Sequence, residues 1–90
     1  MSEAARGKRM RLVLIEWQDS CGCSPDWKPL EGYEAKPLLC RSVGWLLHDG
    51  DACKVIVPHV SDSQEQGCGD MTIPTTAILK ISDLAASAAV

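Results

Sequence analysis

Apolar and polar positions fall into blocks along the chain, and the blocks are too short and too β-branched for helices. Arg11-Leu-Val-Leu-Ile-Glu-Trp17 is an almost unbroken apolar run, the pattern of a strand covered on both faces. Residues 18 to 38 then carry Gly22, Pro25, Pro29, Gly32 and Pro37, and so dense a set of breakers predicts a long irregular excursion. A structureless loop of that length is unusual in a compact domain, and such loops often carry function. Leu39-Cys-Arg-Ser-Val-Gly-Trp-Leu-Leu47 and Cys53-Lys-Val-Ile-Val-Pro-His-Val60 predict two more strands. They are joined through His48-Asp-Gly-Asp-Ala52, whose Asp49-Gly50 favours a tight reversal. Pro58 cannot donate to a strand ladder, so the far end of that strand should be an edge or a bulge. Ser61 to Gly69 is polar and glycine-containing, a second turn region. Met71-Thr-Ile-Pro74 predicts a short strand, Thr75-Thr-Ala77 one helical turn, and Ile78-Leu-Lys-Ile-Ser82 a last strand.

Five strands with one long loop, one tight turn, one medium loop and one helical turn make an all-β fold, a small closed or half-closed barrel. Side chains alternate between the faces of a strand. Alternation therefore groups Trp17 with Val13 and Ile15, and Trp45 with Val43 and Leu47, and predicts that both tryptophans pack inside. Trp27 and Tyr33 are left in the long loop. Two readings are open for them: a lid over one open end of the barrel, or an exposed pair of anchors for a partner, since tryptophan and tyrosine are enriched among interface hot spots. Arg41, at the head of the second strand, would supply the polar partner for a protein carboxylate or a ligand phosphate.

Composition narrows the function classes. The chain has 90 residues, 9 Lys+Arg, 12 Asp+Glu and a net charge of −3, which is the size of one domain. We expect a basic arm over 1 to 10, the domain over 11 to 84 and a short tail over 85 to 90. No apolar run approaches the ~20 residues of a membrane span, and the first ten residues lack the apolar core of a signal peptide. The five cysteines, Cys21, Cys23, Cys40, Cys53 and Cys68, are an odd number. Both observations point to a reducing cytoplasm, where Cys40 and Cys53 read as small buried hydrophobes. Cys21 and Cys23, with Cys40, Cys68, His48 or His59, could compose a zinc site, but zinc sites usually present paired ligands twice, and here one C-x-C is followed by single residues. Lys28 is the one basic residue near Cys21 and Cys23, too little to activate them as a redox pair. No metal or other cofactor is expected.

The usual signatures of nucleophilic, phosphate-binding and zinc-dependent catalysis are missing, and His48 and His59 sit at a turn and beside a proline. The chain therefore reads as a binding protein and not as an enzyme. Asp49, Asp51, Asp62, Glu65 and Asp70 face Lys54 alone over 48 to 70, so one end of the barrel should be acidic. Such a rim is either ordinary solvated surface or a means of steering association, in the extreme by mimicking phosphates. Arg6, Lys8, Arg9 and Arg11 make the N-terminal arm basic, although a chain of net −3 lacks the broad basic face of a nucleic-acid binder.

The order strand, long loop, strand, short turn, strand, loop, short strand, 3₁₀ turn, strand resembles the SH3-like barrel, and Gly69-Asp-Met-Thr-Ile-Pro-Thr-Thr-Ala-Ile78 is similar to the SH3 segment around that 3₁₀ turn. Ala77 stands where a peptide-binding SH3 domain has its ligand-contacting tyrosine, so the resemblance implies the fold and not proline-peptide recognition. Glu16-Trp-Gln-Asp-Ser20, Cys40-Arg-Ser-Val-Gly-Trp-Leu46 and Gly67-Cys-Gly-Asp-Met-Thr-Ile-Pro74 also resemble small proteins of tailed phages and prophages. That resemblance implies an accessory protein acting in the host cytoplasm by binding a host component, such as an anti-phage defence protein. The expected binding residues are Trp27, Tyr33, Arg41, Asp49, Asp51 and Asp62, and the expected partner is a host protein. The alternatives are an oligomeric sponge for a small nucleotide signal, using Arg41 and aromatic stacking, and a regulator that grips nucleic acid through its basic arm.

Overall fold

The computed structural model describes residues 9–85. The basic residues Arg6 and Lys8, and all of the expected tail except Ala85, lie outside that span. The fold is all-β: β1 (Leu12–Asp19), β2 (Leu38–Asp49), β3 (Cys53–Val57), β4 (His59–Val60), β5 (Gly67–Cys68), β6 (Met71–Pro74), a 3₁₀ turn (Thr75–Ala77) and β7 (Ile78–Asp83). Five strands form one antiparallel sheet in the order β6-β3-β2-β1-β7, and β4 pairs with β5 in a separate ribbon. Among the described residues no helix is long and apolar enough to cross a membrane.

The expected barrel is not closed. β6 and β7 are the two edges of the sheet and do not pair with each other. Pro74 ends β6 after four residues, and the Thr75 N–H is given to Ala52 C=O (3.0 Å) and not to β7. The three residues of the 3₁₀ turn are nevertheless all that separates β6 from β7. So short a link lets the edges converge at that end only if the sheet is strongly curled.

One face of the curled sheet holds the core: Val13, Ile15, Leu46, Ile56 and Ile73 are buried, with Trp17, Ala77, Ile78 and Ile81 packed against them. Trp17 sits with Val13 and Ile15, as alternation requires, and its indole N–H donates to Ser42 Oγ (3.0 Å). The expected grouping in β2 is reversed. Leu12 pairs with Trp45, Val13 with Gly44 and Leu14 with Val43, and directly paired residues share a face. Gly44 and Leu46 therefore face the core side, while Val43 and Leu47 stay 52 % and 45 % exposed and Trp45 is half-buried on the other face. The physical reason is the register with β1: its most buried residues, Val13 and Ile15, fix the core side, and β2 presents Gly44 opposite Val13.

Gly44 also governs how β2 meets β3. A Cβ built there would lie 3.1 Å from Ile56 Cβ and 3.1 Å from the Val57 carbonyl oxygen, and a backbone oxygen in a ladder cannot step aside cheaply. Gly44→Val should cost about 1 to 3 kcal/mol, read as a lower denaturation midpoint at an unchanged slope. A variant as stable as the parent would show that β3 yields at this crossing.

The expected strand over 53 to 60 breaks where proline sits. β3 stops at Val57, Pro58 follows, and His59–Val60 turns away to pair with Gly67–Cys68. This small ribbon lies over Val57, since a Cβ on Gly67 would fall 2.7 Å from Val57 Cγ1. Because β3 leaves the sheet at Pro58, only Trp45 to Asp49 of the twelve-residue β2 is paired on that flank.

Candidate binding surface

Residues 20–37 between β1 and β2 are exposed throughout. A few bonds within the segment shape it without burying it. The Asp26 N–H donates to Ser24 Oγ (3.3 Å) around Pro25, the Cys21 thiol to Lys36 C=O (3.4 Å), and the Tyr33 N–H to Leu30 C=O (3.3 Å). The last of these closes Leu30-Glu31-Gly32-Tyr33, in which Gly32 has φ +75°. A positive φ at the third position of such a reversal is the left-handed conformation that glycine adopts at no steric cost. The turn sets Leu30 and Tyr33 beside Trp27 around a shallow, open concavity of about 730 Å³ that also includes Pro25, Asp26 and Lys28.

Trp27 is fully exposed (102 %), and Leu30 and Tyr33 are exposed at 85 % and 61 %. The lid reading is thereby overturned: a lid would lose its aromatic surface to the core, and this loop buries none of its large side chains. A loop that spends a tryptophan, a leucine and a tyrosine on water has gained nothing from them in folding. Leu30 was not among the residues expected from the sequence. Its signal was the glycine two positions on, which makes a turn that brings residue 30 back towards residue 33.

Arg41 is not part of this cluster. It lies within β2 directly opposite Glu16 of β1, its Nε 3.4 Å from Glu16 Oε1. Both line a separate concavity of about 390 Å³ with Trp17, Leu39, Cys40 and Leu79.

The acidic rim is weaker than the charge count implies. Asp49 is paired with Lys54 across the β2–β3 turn, and Arg11 approaches both Asp49 (3.9 Å) and Asp83 (2.7 Å). Lys54 Nζ also donates to Gly50 C=O (3.0 Å). The Lys54 hydrogen bond is the main reason that the Asp49 carboxyl is held below its ordinary value of 3.8, with the Lys54 and Arg11 charges adding to it against a smaller penalty from burial. Asp49 is thus engaged by Lys54 within the hairpin while half of its side chain stays exposed. Asp51 lies exposed in the β2–β3 turn, Asp62 and Glu65 in the loop between β4 and β5, and Asp70 between β5 and β6, so the remaining acids are spread over three connections.

A carboxyl lowered by folding contributes stability above its unfolded value and loses that contribution as pH falls through the folded one. Melting temperature should therefore drop below about pH 4 with a share due to this pair, and Asp49→Asn should make that acid limb shallower. The share is small, because half of the Asp49 side chain is exposed and water screens the charge. An acid limb unchanged in Asp49→Asn would remove Asp49 as its source.

All five cysteines are free thiols, with Cys21, Cys23 and Cys68 exposed and Cys40 and Cys53 half-buried. Among the described residues no three His, Cys, Asp or Glu side chains are gathered as metal ligands would be. His59 is the ladder partner of Cys68, and His48 stands over Gly50 at the hairpin end. The geometry thus offers one apolar, aromatic cluster on a projecting loop, and apart from it a charged groove along β1 and β2. Comparison of the chain with family models, with curated proteins and with solved structures yields no match.

Proposed function

We propose that this protein is a non-enzymatic binding module that docks a partner protein through the tip of its long loop, with Trp27 and Tyr33 as anchors and Leu30 between them. The observation that carries this reading is the full exposure of Trp27 beside two further exposed apolar residues on a segment that contributes nothing to the core. Apolar surface clustered in this way is typical of interaction sites, whereas single exposed hydrophobes are ordinary. Aromatic anchors of this kind carry most of the energy of an interface and need only a concave apolar site on the partner.

The strand order, the curled sheet and the 3₁₀ turn linking its two edges support reading the fold as a half-open SH3-like barrel that presents this loop. The partner we propose is a host protein met by a phage accessory protein in the bacterial cytoplasm, for which the sequence motifs resembling tailed-phage proteins are the support.

The test is affinity capture from host lysate with wild type, Trp27→Ala and Lys80→Ala side by side. The reading expects one protein held stoichiometrically by wild type and Lys80→Ala, and reduced at least about tenfold on Trp27→Ala. Equal recovery by all three would set the loop reading aside.

A further inference from the structure

Before Trp45, β2 has no strand partner on its β3 flank, where Pro58, Gly69 and Met71 reach only its Ser42–Val43 end. The Leu46 N–H donates to Arg11 C=O (2.8 Å), and in an antiparallel ladder such bonds recur at every second residue. With Val13 opposite Gly44, Ile15 opposite Ser42 and Trp17 opposite Cys40, the even-numbered residues of β2 give their backbone groups to β1. The groups of Leu39, Arg41 and Val43 point the other way, to the flank that β3 vacates after Trp45–Val57. This stretch contains no proline and its pairing with β1 shows no bulge. The two formal edges are better protected: β6 is four residues long and ends in Pro74, and β7 meets β1 through a bulge at Glu16/Trp17 and carries Lys80 and Asp83.

Leu39 and Val43 are exposed at 69 % and 52 %, and the Arg41 side chain at 77 %. The three side chains form one row on one face. β1 already shows what that row accepts on its other flank: Leu14 opposite Val43, Glu16 opposite Arg41 and Gln18 opposite Leu39. Arg41 approaches Glu16 through Nε at 3.4 Å, and among the described residues its guanidinium makes no hydrogen bond. A new strand would lie about 4.8 Å away, with its central residue directly opposite Arg41 in the ladder.

We infer that the Leu39–Val43 edge of β2 accepts an extended segment of a partner protein by strand addition, with the segment reading apolar, any, acidic, any, apolar. The main-chain ladder supplies affinity, and the Arg41 charge supplies register. A second copy of this chain fits less well. Antiparallel self-pairing sets Arg41 either opposite its own counterpart, where like charges are unfavourable, or opposite Leu39 or Val43, where it meets no acid. The inference is independent of the loop reading, since none of its residues lies in the loop.

The experiment uses the full ¹⁵N-labelled chain and the peptide acetyl-Thr-Val-Thr-Glu-Thr-Val-Thr-amide, followed by amide hydrogen exchange, with sedimentation of the chain alone as a check on self-association. The expected result is exchange at Leu39, Arg41 and Val43 slowed at least about tenfold at saturation, with the lysine-for-glutamate peptide binding at least about tenfold more weakly. The double variant Glu16→Lys/Arg41→Glu keeps the cross-strand pair and should invert that preference, while Trp27→Ala should leave it unchanged. The inference is overturned if the peptide slows no exchange at these amides, protects Ile81 and Asp83 of β7 instead, or binds with indifference to its charge. Self-association that protects the same amides in the chain alone would overturn it as well.

Discussion

Ile15→Ala should remove a large part of the stability of this fold. Ile15 is completely buried, and among the described residues the buried hydrophobic set is Val13, Ile15, Leu46, Ile56, Val57 and Ile73. Truncating a buried isoleucine costs about 2 to 5 kcal/mol, because the lost methyl and methylene groups leave a cavity as well as their transfer energy. For a chain of this length the total is about 5 to 13 kcal/mol, so a single truncation consumes a sizeable fraction of it. A domain of 60 to 100 residues loses roughly 4 to 8 °C of melting temperature per kcal/mol, so Ile15→Ala should melt at least about 10 °C below the parent. Val43→Ala, at an exposed position on the other face, should shift stability by no more than about 0.5 kcal/mol. Near-equal losses in the two variants would mean that the core does not lie on the Val13–Ile15 face.

Trp27→Ala should show the opposite division of effects. Trp27 is wholly exposed and its backbone lies in an irregular segment, so the variant should melt with the parent. Affinity for the captured partner should fall by about 2 kcal/mol or more, a factor of about 30. Tyr33→Ala should weaken binding by less, because Tyr33 is already partly covered and so loses less surface to a partner. The two losses should not add, because the side chains flank one concavity. A Trp27→Ala protein that melts early would show that the indole is packed in solution, and the lid reading would return.

The strands of this fold were legible in the sequence because each is a block of apolar or β-branched residues bounded by a residue with a mechanical effect. Asp49-Gly50 marks the β2–β3 reversal, Pro58 ends β3, and Pro74 ends β6 before the 3₁₀ turn. What pattern could not show was which face of β2 is inward. Val43, Trp45 and Leu47 alternate as a core face should, yet the core side of β2 is occupied by Gly44, which carries no hydrophobic signal at all. Only the cross-strand register with Val13 and Ile15 decides it, and register is a property of two strands together. The short β4–β5 ribbon was missed for a similar reason: two residues on each side leave no periodicity to read.

The candidate site divides in the same way. Trp27 and Tyr33 could be picked out because large aromatics in a breaker-rich loop have no evident core to join, but exposure itself depends on where the loop lies. Arg41, expected as a polar partner for a carboxylate or phosphate, lies apart from the loop in the β1–β2 ladder, opposite Glu16. Asp49 was expected to be a steering charge and is bound by Lys54, five residues on along the hairpin. In both cases the sequence shows the charge, and only the pairing of strands shows which opposite charge lies beside it.

If the 20–37 loop holds the partner, hydrogen exchange of the captured complex compared with the lone chain will show protection there. The lone chain should exchange rapidly across residues 20–37, because the described residues there have few backbone partners. In the complex, the peptides containing Trp27, Leu30 and Tyr33 should be slowed at least about tenfold, while those of the Ser61–Gly69 loop exchange as before. Protection confined to the acidic loops around Asp51 and Asp62, with 20–37 still exchanging freely, would contradict the account and move the binding surface to the other end of the sheet.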